Sequence, residues 1–261
     1  MDKKLYIRLS DTDISFAFYA QGDAESLTFV PYHAQPSTSL TVNLREAFRT
    51  EPSLQNVQTA EVLVTGPVTL VPLTEFQEED CDAYYHLCFP QVHGKRVFYD
   101  SLSSGNGAVV LFALSEQACQ TLEDTFSSVH YVSAQTPILR HLAQKPEVWN
   151  ENKTMFINLC DDVADFYVFE NGHVLLVNRY PVRSREDGAF YVLSVAKQLK
   201  MDVSTDKFFV YGNLIARPQL VEELQKFVAN VHTLLPSEEF PGYPASKISD
   251  APYDLLASLL K

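Results

Sequence analysis

With 261 residues, 46% of them apolar and 20% charged, the chain has hydrophobic material for one large domain or two of ordinary size. A formal net charge of −13 argues against a general nucleic-acid binder, which needs clustered Lys and Arg, and opposes contact with an anionic membrane surface. No apolar run reaches the roughly 18 residues that insert in a bilayer, no signal-peptide core follows Met1, and Cys81, Cys88, Cys119 and Cys160 form no disulfide framework, so reduced thiols in a cytoplasmic protein are expected.

The first stretch, Leu5 to Tyr19 and then Leu27 to Pro31, alternates apolar runs with polar turns. Leu73 to Phe89, acidic and aromatic, predicts a helix covering a sheet. Arg96–Tyr99 and Ala108–Ala113 read as strands joined by the flexible Ser103–Gly107 connection. Ser115 opens a helix to about Phe126, Val129–Val132 is a short strand and Thr136–Gln144 a short helix. After a connection near Lys145–Lys153 come two apolar runs from Met155, with Asp161 and Asp162 between them. Asn171-Gly172 predicts a hairpin into Val174–Val177, because both residues tolerate positive φ. A helix over Arg185–Lys200, a strand over Phe208–Tyr211, a turn at Gly212-Asn213 and another helix complete the order. Four prolines between Pro236 and Pro252 break the tail, which ends in an amphipathic helix from Tyr253. That helix is expected to cap the second half; a docking peptide for a partner is the alternative.

The chain repeats itself. A shift of 150 lays Ile7 on Ile157, Leu9 on Leu159, Asp11 on Asp161, Phe16 on Phe166, Gly22 on Gly172 and Pro31 on Pro181. A shift of 146 lays Val64 on Val210, Gly66 on Gly212 and Pro72 on Pro218. Two related halves are expected, 1–147 with an inserted subdomain and 148–261.

A duplicated unit of three strands, helix, strand and helix resembles the actin-like ATPase fold of sugar kinases, Hsp70 chaperones and bacterial cytoskeletal proteins. The second half is most similar to the pilus and secretion-system members. Asn178-Arg179-Tyr180-Pro181 falls where they end the third strand, and Gly212-Asn213 through Pro218 where they carry a paired-glycine adenosine motif. The whole chain resembles a bacterial family of unassigned function with this fold. The resemblance implies α/β architecture: two ribonuclease-H-like domains with mixed five-stranded sheets flanked by helices, and a nucleotide cleft between them. It also implies an Asp-x-Gly turn after the first strand of each half, the Asp for the metal's hydration shell and the Gly for phosphate approach. Arg8-Leu9-Ser10 and Asn158-Leu159-Cys160 stand there instead. Asp11 and Asp161 follow on the turns, and Gly212 keeps one glycine of the pair.

Arg8, Ser10, Asp11, Asn158, Asp161 and Gly212 therefore outline a degenerate nucleotide cleft. Without the two carboxylates no Mg²⁺ anchor for phosphoryl transfer remains, and catalysis by charge neutralisation is not expected. The expectation is a non-catalytic protein without cofactor, metal or nucleic-acid ligand, acting on a protein partner. The alternative is an ATP-binding or kinase-like enzyme with Mg²⁺ at a remodelled site, where Arg8 contacts phosphate. Three other patterns weigh less. Cys81, His86, Cys88 and His93 lack zinc-ligand spacing. Asp11, Asp13, Asp161, Asp162 and Asp165 could supply two-metal nuclease acids, but they suit turns better. Arg179, Arg183 and Arg185 could take an anion, though a solvated strand end explains them as well.

Overall fold

A computed structural model of the chain describes residues 4–10, 14–19, 27–32, 34–35, 37–54, 57–102, 107–160, 162–212, 215–241, 243, 246 and 251–259. These fall into two compact units, one of the described residues within 4–102, 107–138 and 243–259, the other spanning Leu139–Pro241. No helix among the described residues is long and apolar enough to cross a membrane.

The first unit is built on a five-stranded sheet ordered β3-β2-β1-β4-β8, from β1 (Lys4–Leu9), β2 (Ile14–Tyr19), β3 (Thr28–Tyr32), β4 (Thr59–Val64) and β8 (Ser128–Ser133). β1, β2 and β3 run antiparallel in sequence, while β4 and β8 join in parallel. Parallel neighbours need a crossover, supplied between β3 and β4 by helix α1 (Leu40–Thr50), which the Ser39 hydroxyl caps by accepting from Val42 N–H. Strand alternation puts Leu5, Ile7 and Leu9 on one face with Phe16 and Val62. Phe16 meets Phe48 of α1, and Phe48 stands edge-on to Phe126 at the end of α3 (Glu116–Thr125), so one aromatic chain fastens both helices to that face.

An insertion between β4 and α3 forms its own three-stranded antiparallel sheet, order β5-β7-β6, from β5 (Thr69–Pro72), β6 (Lys95–Leu102) and β7 (Ala108–Ser115). Helix α2 (Cys81–Cys88) covers one face through Tyr85, over Val71, Val109 and Leu111. On the other face Phe98 stacks between Phe112 and Tyr131. The helix expected over Leu73–Phe89 is confined to α2. Ahead of it the chain turns, Tyr84 OH donates to the Glu75 carbonyl, and Phe76 drops onto Tyr99 before a single 3₁₀ turn at Glu78–Asp80.

The second unit, which begins within α4 (Gln135–Leu142), repeats the sheet in the order β11-β10-β9-β12-β13. Its strands are β9 (Thr154–Cys160), β10 (Val163–Glu170), β11 (His173–Pro181), β12 (Lys207–Gly212) and β13 (Val231–Thr233), with the same directions as the first. Asn171 (φ 48°) and Gly172 (φ 76°) make the two-residue hairpin expected between β10 and β11. Helix α5 (Arg185–Gln198) starts at Ser184, whose hydroxyl takes the Asp187 N–H. A Cβ on Gly188 would come within 2.8 Å of Leu220 on α6 (Ala216–Leu224), so that glycine sets the close approach of the two helices. Met155, Ile157, Phe166, Val192, Val210 and Leu220 fill the core beneath them.

The register corrects one half of the sequence repeat. Ile7 and Ile157 occupy matching places on β1 and β9, as the shift of 150 requires. Leu9 pairs with Val64, however, and Leu159 with Gly212, so β4 corresponds to β12 with a shift of 148 rather than 146. An error of two residues preserves strand parity, which is why the apolar pattern did not expose it. Gly212 thus answers to Val64 and not to Gly66.

The tail also departs from expectation. The second unit ends past a single helical turn, α7 (Pro236–Glu239), and helix α8 (Tyr253–Leu259) belongs to the first unit rather than to the second, which it was expected to cap. All seven of its residues are buried, and Ser258 Oγ donates to Glu61 of β4.

Candidate functional site

In each unit the first strand has one face toward its crossover helices and one turned away. Lys4, Tyr6 and Arg8 share the second face of the first sheet with Ser15, Glu61 and Leu63. Thr154, Phe156 and Asn158 share the corresponding face of the second sheet with Asp165, Phe209 and Tyr211. Arg8 and Asn158 therefore hold matching places in register, Arg8 one residue before the end of β1 and Asn158 two before the end of β9.

Arg8 is occupied. Its Nε lies 3.0 and 2.9 Å from the two carboxylate oxygens of Asp254 on α8, with side chains only 11% and 6% exposed. A guanidinium stays charged even when buried this far, so leaving it unpaired would be costly, and the tail supplies a fixed anion. Neighbouring Lys4 pairs with Glu61.

The second unit solves the same burial problem within its own hairpin. Asp165 and Arg179 are register partners on β10 and β11, and their contact is bidentate: Nε to Oδ1 at 2.6 Å, Nη2 to Oδ2 at 2.8 Å. Burial works against the Arg179 charge, but the hydrogen bonds and attraction of Asp165 more than offset it and hold the guanidinium above its ordinary pKa. Asp165 is thereby taken out of the set of acids considered for two-metal chemistry, and Arg179 out of the exposed arginine cluster. Arg183 and Arg185 are exposed at the start of α5, where Arg185 pairs with Glu186 and Glu223.

Gly212 has a local cause. Its φ is +92°, and an added Cβ would sit 2.8 Å from Asn158 Oδ1, 2.8 Å from Leu159 N and closer still to the Leu159 carbonyl oxygen. The end of β12 closes directly on the end of β9, and Asn158, 3% exposed, is part of the closure. Glycine is required there by the approach of two strands. Ser10, just past β1, is half-buried. Asp11, Asp13, Asp161, Asn213 and Gly22 lie outside the described residues. Arg8, Asn158 and Gly212, named from the sequence for a degenerate nucleotide cleft, thus have these contacts, while Asp254 was not named at all: its one advance signal was an acid on a mostly apolar helix.

The residues weighed for zinc have other contacts. Cys88 Sγ is 3.3 Å from Thr69 Oγ1, and His86 Nδ1 is 2.7 Å from the Asp82 carbonyl oxygen. Among the described residues no group of three or more His, Cys, Asp or Glu is placed to hold a metal ion.

Two sheets of five strands with this common order and helical crossovers define an actin-like ATPase fold. A Bacteroides thetaiotaomicron protein with an actin-like ATPase fold and unknown function superposes with a TM-score of 0.84 and 26% identity, over 99% of this chain and 95% of that one. PilM, in the PilM–PilN type IV pilus biogenesis complex, has the same fold at a TM-score of 0.56 and 12% identity, over 98% and 97% of the two chains. The chain belongs to the family described as "Protein of unknown function (DUF3822)", whose model matches residues 1–231. No curated protein matches.

Proposed function

We propose that the protein is a non-catalytic, bacterial, cytoplasmic member of the actin-like fold, descended from a duplicated unit, that acts by binding another protein. The Arg8–Asp254 pair carries this reading. At the place where an active relative is expected to present an acid to hydrated metal, this chain has a cation, and its own tail neutralises that cation with a buried carboxylate. The Asp165–Arg179 pair is the parallel case in the second unit, and Gly212 serves a strand closure. Phosphoryl transfer depends on charges aimed at the phosphates and metal, and charges already paired inside a sheet are poorly placed to supply it. The four cysteines, none of them in a disulfide, fit a reducing compartment. That PilM, a protein of the same fold, is found in a complex with PilN supports a binding role on such a scaffold.

Phosphate release from ATP in the presence of Mg²⁺ tests the non-catalytic part. The expected outcome is release no faster than in buffer. Turnover that is lost in an Asn158→Ala variant would overturn it and favour the remodelled enzyme.

A further inference from the structure

The insertion between β4 and α3 has its own core, so the outer side of α2 is not needed to hold it together. Tyr85 points into that core and is 1% exposed. Two positions on, about 200° around the helix, Leu87 is 82% exposed, the most open of the large hydrophobic side chains among the described residues. Ala83, one turn before it, is also exposed, and so is Glu79 on the 3₁₀ turn that precedes the helix. Asp80 and Asp82 flank the stripe, and Glu75 and Glu78 stand on the turn that leads into it, all exposed. Across residues 69–115 the only Lys and Arg are Lys95 and Arg96, and Arg96 is engaged by Glu116 and Glu123.

We propose that the outer stripe of α2 is a docking site for a basic segment of a partner protein, one that presents an apolar side chain flanked by Lys or Arg. Leu87 is the anchor, and the carboxylates steer and orient the partner. Charge complementarity selects this occupant: an acidic partner would be repelled by the rim, and a second copy of this chain, at −13, would bring the same rim against itself. A short apolar ridge inside a one-sign rim gives specificity through charge and affinity through a single buried anchor. The proposal rests on the protein-binding reading above and names its surface.

The test uses the full chain and a fluorescein-labelled peptide of alternating leucine and lysine, read by anisotropy. Saturable binding is expected, weakened about tenfold by Leu87→Gln. It should be weakened similarly by the Glu79→Lys, Asp82→Lys double variant, and fall with added salt. Glu222→Lys on α6 is the control for charge alone and should leave binding unchanged. Absence of binding, equal binding by the Leu87→Gln variant, or equal loss in the control would each overturn the proposal. So would a wild-type dimer in sedimentation that Leu87→Gln dissociates, since the occupant would then be a second copy. Leu87 is solvent-exposed, so the variant is expected to melt as the parent does. Failure here with no ATP turnover removes the surface and leaves the non-catalytic reading standing; turnover removes that reading whatever the peptide does.

Discussion

Arg8 and Asp254 show how one ion pair can decide what a strand end is able to do. Removing either partner leaves a buried charge, so Arg8→Met or Asp254→Leu alone should cost about 3–5 kcal/mol in denaturant unfolding. The double variant, apolar on both sides, should recover most of that loss, and a double-mutant cycle measures the coupling. A purely additive pair of losses would show that the contact is incidental. Cys119 gives a residue-scale test with a pH axis. Burial, only partly countered by Arg96, pushes its thiol up from 9.0 to about 11. A folded-state pKa above the unfolded one means the protonated thiol favours the native state. Its contribution is complete below about pH 9 and is lost as the pH rises through about 11. Melting curves across that window should fall, and Cys119→Ala should flatten the fall. The same burial predicts that the exposed Cys88 reacts with a thiol reagent while Cys119 stays unmodified until unfolding.

At the scale of elements, glycines distinguish what a repeat suggests from what packing requires. Gly212→Ala must place a Cβ against Leu159 and Asn158 at positive φ, and a loss of about 2 kcal/mol or more is expected. Gly66→Ala meets nothing within 4 Å and should change stability by no more than about 0.5 kcal/mol. Equal effects would contradict the register in which Gly212 answers to Val64. Gly172→Ala is a milder case. Its Cβ would fall 2.6 Å from Trp149 Cη2, but the indole is 58% exposed and can yield, so a shift in the fluorescence of this only tryptophan should accompany a smaller loss. The strands around these turns were legible from the chain alone, because alternation and Asn171-Gly172 are local signals. The extent of α2 was not, since Phe76 turns inward to meet Tyr99, a residue more than twenty positions away. α1, which the duplicated unit implies between β3 and β4, has a weak local signal: its apolar spacing at Leu40, Leu44 and Ala47 is interrupted by Asn43, a buried residue that bonds back to Gln35.

For the whole molecule, the informative departure lies at the chain's end. Periodicity marked a helix from Tyr253 but carries no record of which sheet it covers; the choice of the first unit is expressed in contacts with residues far away in sequence, Asp254 with Arg8, 246 positions apart, and Ser258 with Glu61. At the strand ends that the resemblance singled out, the two units differ: Arg8 is neutralised by the tail's Asp254, whereas the neutral Asn158 closes on Gly212 and its register partner Asp165 is held by Arg179 of the same hairpin. Calorimetric titration with ATP and Mg²⁺ tests this account most directly. It predicts no heat of binding up to millimolar nucleotide; micromolar binding that disappears on Gly212→Val substitution, in a variant that remains folded, would contradict it.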